Sequence, residues 1–178
     1  MIYNGPERFE VVNNILRTNH TLRLNAGVEV GVRNAETSEF LLQNNDELVM
    51  FLVDPYGAYL DLGYQFSTEE QSIIKKAAAT RLKKYGDRAY WIYKTSLEGA
   101  KLVDNGDLDF VFIDGNHDAP YVEQDIYAWY PKVRAGGLLM GHDYSMNAVK
   151  AAVQAWATKF GKTIIASDSH SDVWAIEI

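Results

Sequence analysis

Three segments of this chain are near-continuous apolar runs that stop on an acid. "ELVMFLVD" ends at Asp54, "LDFVFID" at Asp114 and "GLLMGHD" at Asp143. A strand with one wet face alternates apolar and polar residues; a strand buried on both faces does not. Runs of this kind belong to parallel sheets covered by helices on either side. "AGVEVGV" and "RAYWIYK" are two further strands. The segments between them carry helical patterns: "ETSEFLLQNN", "TEEQSIIKKAAATRLKKYG", "SLEGAKLVDN", "APYVEQDIYAWYPKV" and "NAVKAAVQAWATKFG". In the second of these Thr68 is the cap candidate and Gly86 the stop. "PERFEVVNNILRTNH" places Phe9, Val12, Ile15 and Leu16 on one side of an opening helix. "TIIAS" and "VWAIEI" lie too close together for a crossover helix and should pair antiparallel. The expected fold is a doubly wound, Rossmann-like α/β sheet, mostly parallel with a reversed final strand.

Composition narrows the function. The chain has 178 residues, 47% of them hydrophobic, which suits one domain with a sizeable core. A formal net charge of -7 argues against a phosphate-backbone footprint, so no nucleic-acid partner is expected. Without cysteine there is no thiolate chemistry and no Cys-based zinc site. No apolar run approaches the ~20 residues of a membrane span. "MIYNGPERFE" lacks a basic start and an apolar stretch, and a cytoplasmic location is expected. One domain is read over 1–178, with an N-terminal helix within 1–22. The Tyr- and Gly-rich segment 55–68 is read as a lid loop or an oligomer contact, which would suit a homodimer.

In such a sheet ligands bind beyond the carboxyl ends of the strands. Those ends here are Glu29-Val30-Gly31, Asp54, Lys94-Thr95-Ser96, Asp114-Gly115-Asn116-His117 and Gly141-His142-Asp143-Tyr144. Gly31 lets backbone approach a ligand at a helix N-terminus. Asp54, ending the next strand, can accept hydrogen bonds from ribose hydroxyls. Dinucleotide binding asks for G-x-G-x-x-G, but "GVRNAETS" has a single glycine. A nucleoside without phosphates is the better match.

"EVGVRNAETSEFLL", "FLVDPY", "LDFVFIDGNHDAPYVEQDI" and "PKVRAGGLLMGHDY" together resemble the class I S-adenosylmethionine-dependent methyltransferases. The likeness is greatest to the small branch with FIDG-x-H and GHDY strand ends, and it runs from about Gly27 to Ala157. The resemblance implies a seven-stranded sheet of order 3-2-1-4-5-7-6 and S-adenosylmethionine as cofactor. It places Glu29 and Gly31 by the methionine part, Asp54 on the ribose, Tyr56 against the adenine and Ser96 nearby, with Asp114 also on the cofactor. It departs from the pattern at Ala35, where a second glycine is usual.

Asp114 and Asp143 end neighbouring strands in that order. Two carboxylates so close need a cation between them. Oxygen ligands favour Mg²⁺, Mn²⁺ or Ca²⁺. The likeness to metal-dependent O-methyltransferases implies Asp114 and Asp143 as metal ligands, with His142 as a further ligand or as the group orienting Asp143. His117 is then the general base. Tyr144 stands where those enzymes carry an amide. The expected reaction is methyl transfer to a hydroxyl of a small molecule, sugar or phenol-like. Transfer by His117 without a metal, and a binding module that has lost catalysis, stay open beside it.

Overall fold

The computed structural model describes residues 7–19, 23–167 and 170–178. Among these residues nine strands are formed: β1 (Ala26–Val30), β2 (Val49–Val53), β3 (Tyr59–Asp61), β4 (Tyr64–Phe66), β5 (Ala89–Ile92), β6 (Leu108–Ile113), β7 (Val133–Gly141), β8 (Ile165–Ala166) and β9 (Trp174–Glu177). The helices are α1 (Arg8–Thr18), α2 (Glu36–Asn44), α3 (Thr68–Leu82), α4 (Ser96–Ala100), α5 (Ala119–Trp129) and α6 (Asn147–Phe160). Seven strands make one sheet in the order β5-β2-β1-β6-β7-β9-β8. Numbered within that sheet alone, this is the expected 3-2-1-4-5-7-6. Within this sheet β9 alone breaks the parallel direction: it runs antiparallel to β7 on one side and to β8 on the other, so β8 points the same way as the remaining strands.

β6 shows why its sequence does not alternate in polarity. All six of its residues are buried. Phe110 and Phe112 pack on one side with Val12 and Leu16 of α1, Leu41 and Leu42 of α2, and Ala78 and Leu82 of α3. Val111 and Ile113 pack on the other side with residues such as Val122 and Trp129 of α5 and Val153 of α6. The period of two survives, but it sorts apolar residues between two cores.

Some boundaries differ from the sequence reading. Ser67, not Thr68, caps α3: its Oγ accepts the Glu70 N–H, and the Glu70 carboxylate accepts the Ser67 N–H, a reciprocal capping box. β7 starts several residues before "GLLMGHD", and β8 is only two residues long. Segment 55–68 contains a β-hairpin, β3–β4. Its turn residues Leu62 and Gly63 both have positive φ (48° and 80°), the backbone a two-residue hairpin turn needs. The ends of the opening helix at residue 6 and at His20 lie outside the described residues.

Candidate active site

The strand order brings β1, β6 and β7 side by side, and their carboxyl ends form one edge. Gly31 follows β1 with φ 86°, and a Cβ there would lie 2.1 Å from the Asp114 carbonyl oxygen. The glycine therefore lets the ends of β1 and β6 close together, a packing demand beside the ligand approach read from sequence. Ala35 occupies the left-handed region (φ 60°, ψ 30°), fully buried, and starts α2. The loop takes the glycine-type conformation without the glycine.

Glu29 is buried at the end of β1, and Ser38 of α2 donates a short hydrogen bond to it. Burial pushes its carboxyl up to about 8 against that hydrogen bond, and Asp114 adds to the rise. Asp54 accepts the N–H of Tyr56 on one oxygen (2.8 Å) and of Arg33 on the other (3.0 Å). Burial raises its pKa and these backbone donors oppose the rise. Tyr56 packs near Trp91 and Tyr93, and its hydroxyl donates to the Arg33 carbonyl (2.8 Å). Ser96 Oγ accepts from the Trp129 indole N–H (2.9 Å). Near it Asp125 of α5 is buried, and burial lifts its carboxyl to about 6 against a hydrogen bond from Ser96.

The dense part of the site is a chain of acids and imidazoles. Asp143, left-handed at φ 58° after β7, contacts His117 Nε2 at 2.6 Å and His142 Nδ1 at 2.9 Å, both through Oδ2. His142 Nδ1 also lies 3.6 Å from Asp114 Oδ1. Asp114 Oδ2 is held by Arg8 Nη1 at 2.9 Å. On its far side His117 meets Asp61 of β3: Nδ1 lies 2.8 Å from Oδ2, and the backbone N–H donates to Oδ1 at 2.9 Å. Asn116 adds a hydrogen bond to the Leu60 carbonyl (2.6 Å). The hairpin is thus docked on the loop after β6.

These contacts set the charge states. The hydrogen bond to Asp143 pushes His117 up to about 9 against burial, and Asp61 adds to it. Burial opposes charge on His142, yet Asp114 and Asp143 outweigh it and lift that ring to about 9 as well. Burial also opposes charge on Asp143, but the two imidazoles hold its carboxyl well below the usual range. With Asp61 and Asp143 both in place, His117 keeps its proton at neutral pH. A cleft of about 10 Å³, on the scale of one water, has Asp114, His117, His142 and Asp143 in its lining. Asp114, His117 and Asp143 each offer one ligand atom, all within 4.8 Å of one another. His142 lies beside this trio, 2.9 Å from Asp143 and 3.6 Å from Asp114.

A methyltransferase-domain family profile matches residues 25–144, spanning β1 through the Asp143 strand end. The chain belongs to that methyltransferase-domain family. No curated protein matches the sequence. Solved structures share the fold of this methyltransferase domain. The O-methyltransferase NovP superposes with a TM-score of 0.73 at 16% identity, over 96% of this chain and 78% of that one. TomG from Streptomyces achromogenes, an O-methyltransferase involved in tomaymycin synthesis and solved with S-adenosylmethionine, gives 0.67 at 12%, over 96% and 79%. An rRNA methylase from Streptococcus thermophilus gives 0.65 at 14%, over 99% and 98%. At these identities the likeness establishes the fold.

Sequence reasoning did not find three groups of the methyltransferase domain's site. Asp61 had a local signal: "YLDLGYQF" carries a Leu-Gly turn between short aromatic runs, which reads as a hairpin. Arg8 and Asp125 had none, because each meets the site only through the tertiary fold. Among the described residues, no helix of the domain is long and apolar enough to cross a membrane.

Proposed function

We propose that this methyltransferase transfers a methyl group from S-adenosylmethionine to a hydroxyl of a small acceptor, a sugar or a phenol-like compound, with help from a divalent cation. The observation that carries the reading is the convergence of Asp114, His117 and Asp143 on one point at the strand ends. The net charge of -7 favours a small acceptor over a nucleic acid.

The residues fit the methyl donor. A carboxylate has about four lone-pair sites, so Asp54 can accept from ribose hydroxyls while it holds two backbone N–H groups. The acids Glu29 and Asp114 suit the donor's cationic sulfonium and ammonium groups. The residues also fit a divalent ion: the carboxylates of Asp114 and Asp143 converge and offer oxygen donors of the kind that take Mg²⁺ or Mn²⁺. Such an ion supplies Lewis acidity that lowers the pKa of an acceptor hydroxyl. Asp114 and Asp143 would hold it. Were Asp143 so engaged, His117 would lose one of the two acids that hold its proton, and its Nε2 could take the hydroxyl proton. The acceptor oxygen forms a bond to the methyl carbon as the carbon–sulfur bond breaks, leaving S-adenosylhomocysteine.

One observation favours a second reading, transfer without a metal. The acids Asp61, Asp114 and Asp143 are already matched by Arg8, His117 and His142. A single experiment separates the two. The protein is incubated with S-adenosylmethionine and a panel of catechols, phenols and sugars, with Mg²⁺ or with EDTA, and S-adenosylhomocysteine is measured. Turnover lost in EDTA and in Asp143→Asn supports the metal-assisted reading. Turnover that survives EDTA supports the second, and no turnover on any hydroxyl acceptor overturns both.

A further inference from the structure

Arg8 is a cation brought to the strand ends from outside the sheet. It sits in the first turn of α1, and that helix is fixed independently of it: Val12 and Leu16 are buried in the core, and the Phe9 ring packs tilted against Phe40 of α2 with centroids 4.9 Å apart. The guanidinium reaches across to Asp114 and acts electrostatically on Glu29. Its side chain is 31% exposed, whereas that of Asp114 is 10% exposed. A guanidinium has five N–H donors in a planar fork, and the bond to Asp114 Oδ2 uses one nitrogen.

The proposed donor has three substituents on its sulfur, and the site orders them. The methyl must face the acceptor beside Asp114, His117 and Asp143. The adenosine runs toward Asp54, whose oxygens suit ribose hydroxyls. The amino-acid arm is left with the ground around Glu29 and Asp114. Both can accept from its ammonium group, but Asp114 repels its carboxylate, which therefore needs a cation in the same place. We infer that Arg8 binds the α-carboxylate of the methyl donor, so that α1 recognises the amino-acid arm while the sheet recognises the nucleoside. This inference rests on the S-adenosylmethionine reading above. A fork that holds Asp114 and a second carboxylate together is ordinary guanidinium chemistry.

The test compares two ligands by calorimetry: S-adenosylhomocysteine, and 5′-methylthioadenosine, which keeps the nucleoside and sulfur but lacks the amino-acid arm. In Arg8→Gln the affinity for S-adenosylhomocysteine should fall by about 10-fold or more, the scale of a charged hydrogen bond. Affinity for 5′-methylthioadenosine should stay within about 2-fold. Arg8→Lys, which keeps the charge without the fork, should fall between wild type and Arg8→Gln for the first ligand only, and it serves if the Gln variant does not fold. Equal weakening toward both ligands, or none toward either, overturns the inference and leaves the methyl-donor reading standing. A wild-type protein that binds neither ligand overturns that reading and the inference with it.

Discussion

Asp61 grips His117 at two points, the backbone N–H through Oδ1 and the ring through Oδ2. The ring's other nitrogen is thereby directed at Asp143. An imidazole whose second nitrogen is fixed by a carboxylate has one defined orientation and proton position. Asp61→Ala should lower methyl transfer by roughly 10- to 100-fold, the range for losing such an orienting partner. S-adenosylhomocysteine affinity should stay within about 2-fold. Parallel kinetics and calorimetry check this, and a matching loss of cofactor affinity would show that the hairpin shapes the cofactor pocket instead.

Gly31→Ala is expected to damage the fold before it damages binding. The left-handed backbone costs a residue with a Cβ about 1–2 kcal/mol. The added carbon would also stand 2.1 Å from the Asp114 carbonyl oxygen, and overpacking of that kind costs about 1–3 kcal/mol. Chemical denaturation should show a loss of about 2–5 kcal/mol. A variant of unchanged stability that no longer bound S-adenosylhomocysteine would refute this expectation.

Ala35→Gly should be nearly silent. Relief of left-handed strain gains about 1 kcal/mol, and loss of a fully buried methyl costs about 0.8 kcal/mol. Melting temperature and S-adenosylhomocysteine affinity should both stay close to wild type. A large gain in affinity would mean that the alanine methyl holds the cofactor off, as in a binding module that has lost catalysis.

Asp125 gives a pH dependence with a definite sign. Burial raises its folded pKa from 3.8 to about 6. The folded state therefore favours the protonated acid. Its contribution is fully present below pH 3.8 and is lost as pH rises through about 6. Asp125→Asn removes the buried charge, so it should stabilise the protein at pH 7.5 by about 1–3 kcal/mol and have little effect near pH 4. Denaturant melts at the two pH values check the difference, and equal effects at both would rule out the buried charge as the cause.

The sheet was legible because its strands announce burial on both faces: in β6, Phe110 and Phe112 serve one core and Val111 and Ile113 the other. Strand order followed from the resemblance, and with it the meeting of Asp114, His117, His142 and Asp143. Contacts that join distant parts of the chain were not legible. Arg8 reaches Asp114 across most of the sequence, and nothing around "PERFE" marks that residue. Ser96 was placed near the adenine by analogy; its hydroxyl is bonded to Trp129, a partner that exists only once α4 and α5 pack. The protonated state of His117 was also out of reach, since it depends on Asp61 arriving from the hairpin.

The sheet order has a consequence for how the protein is made. β1 is the earliest strand described, yet it lies near the middle of the sheet, and its partner on one side, β6, is translated much later. On a ribosome that adds about 5–20 residues per second, β1 and β2 wait for seconds with an unpaired apolar edge. For that interval the nascent chain is exposed to self-association and to chaperones. Slowing aggregation relative to translation, by cooling the culture during expression, should raise the soluble yield.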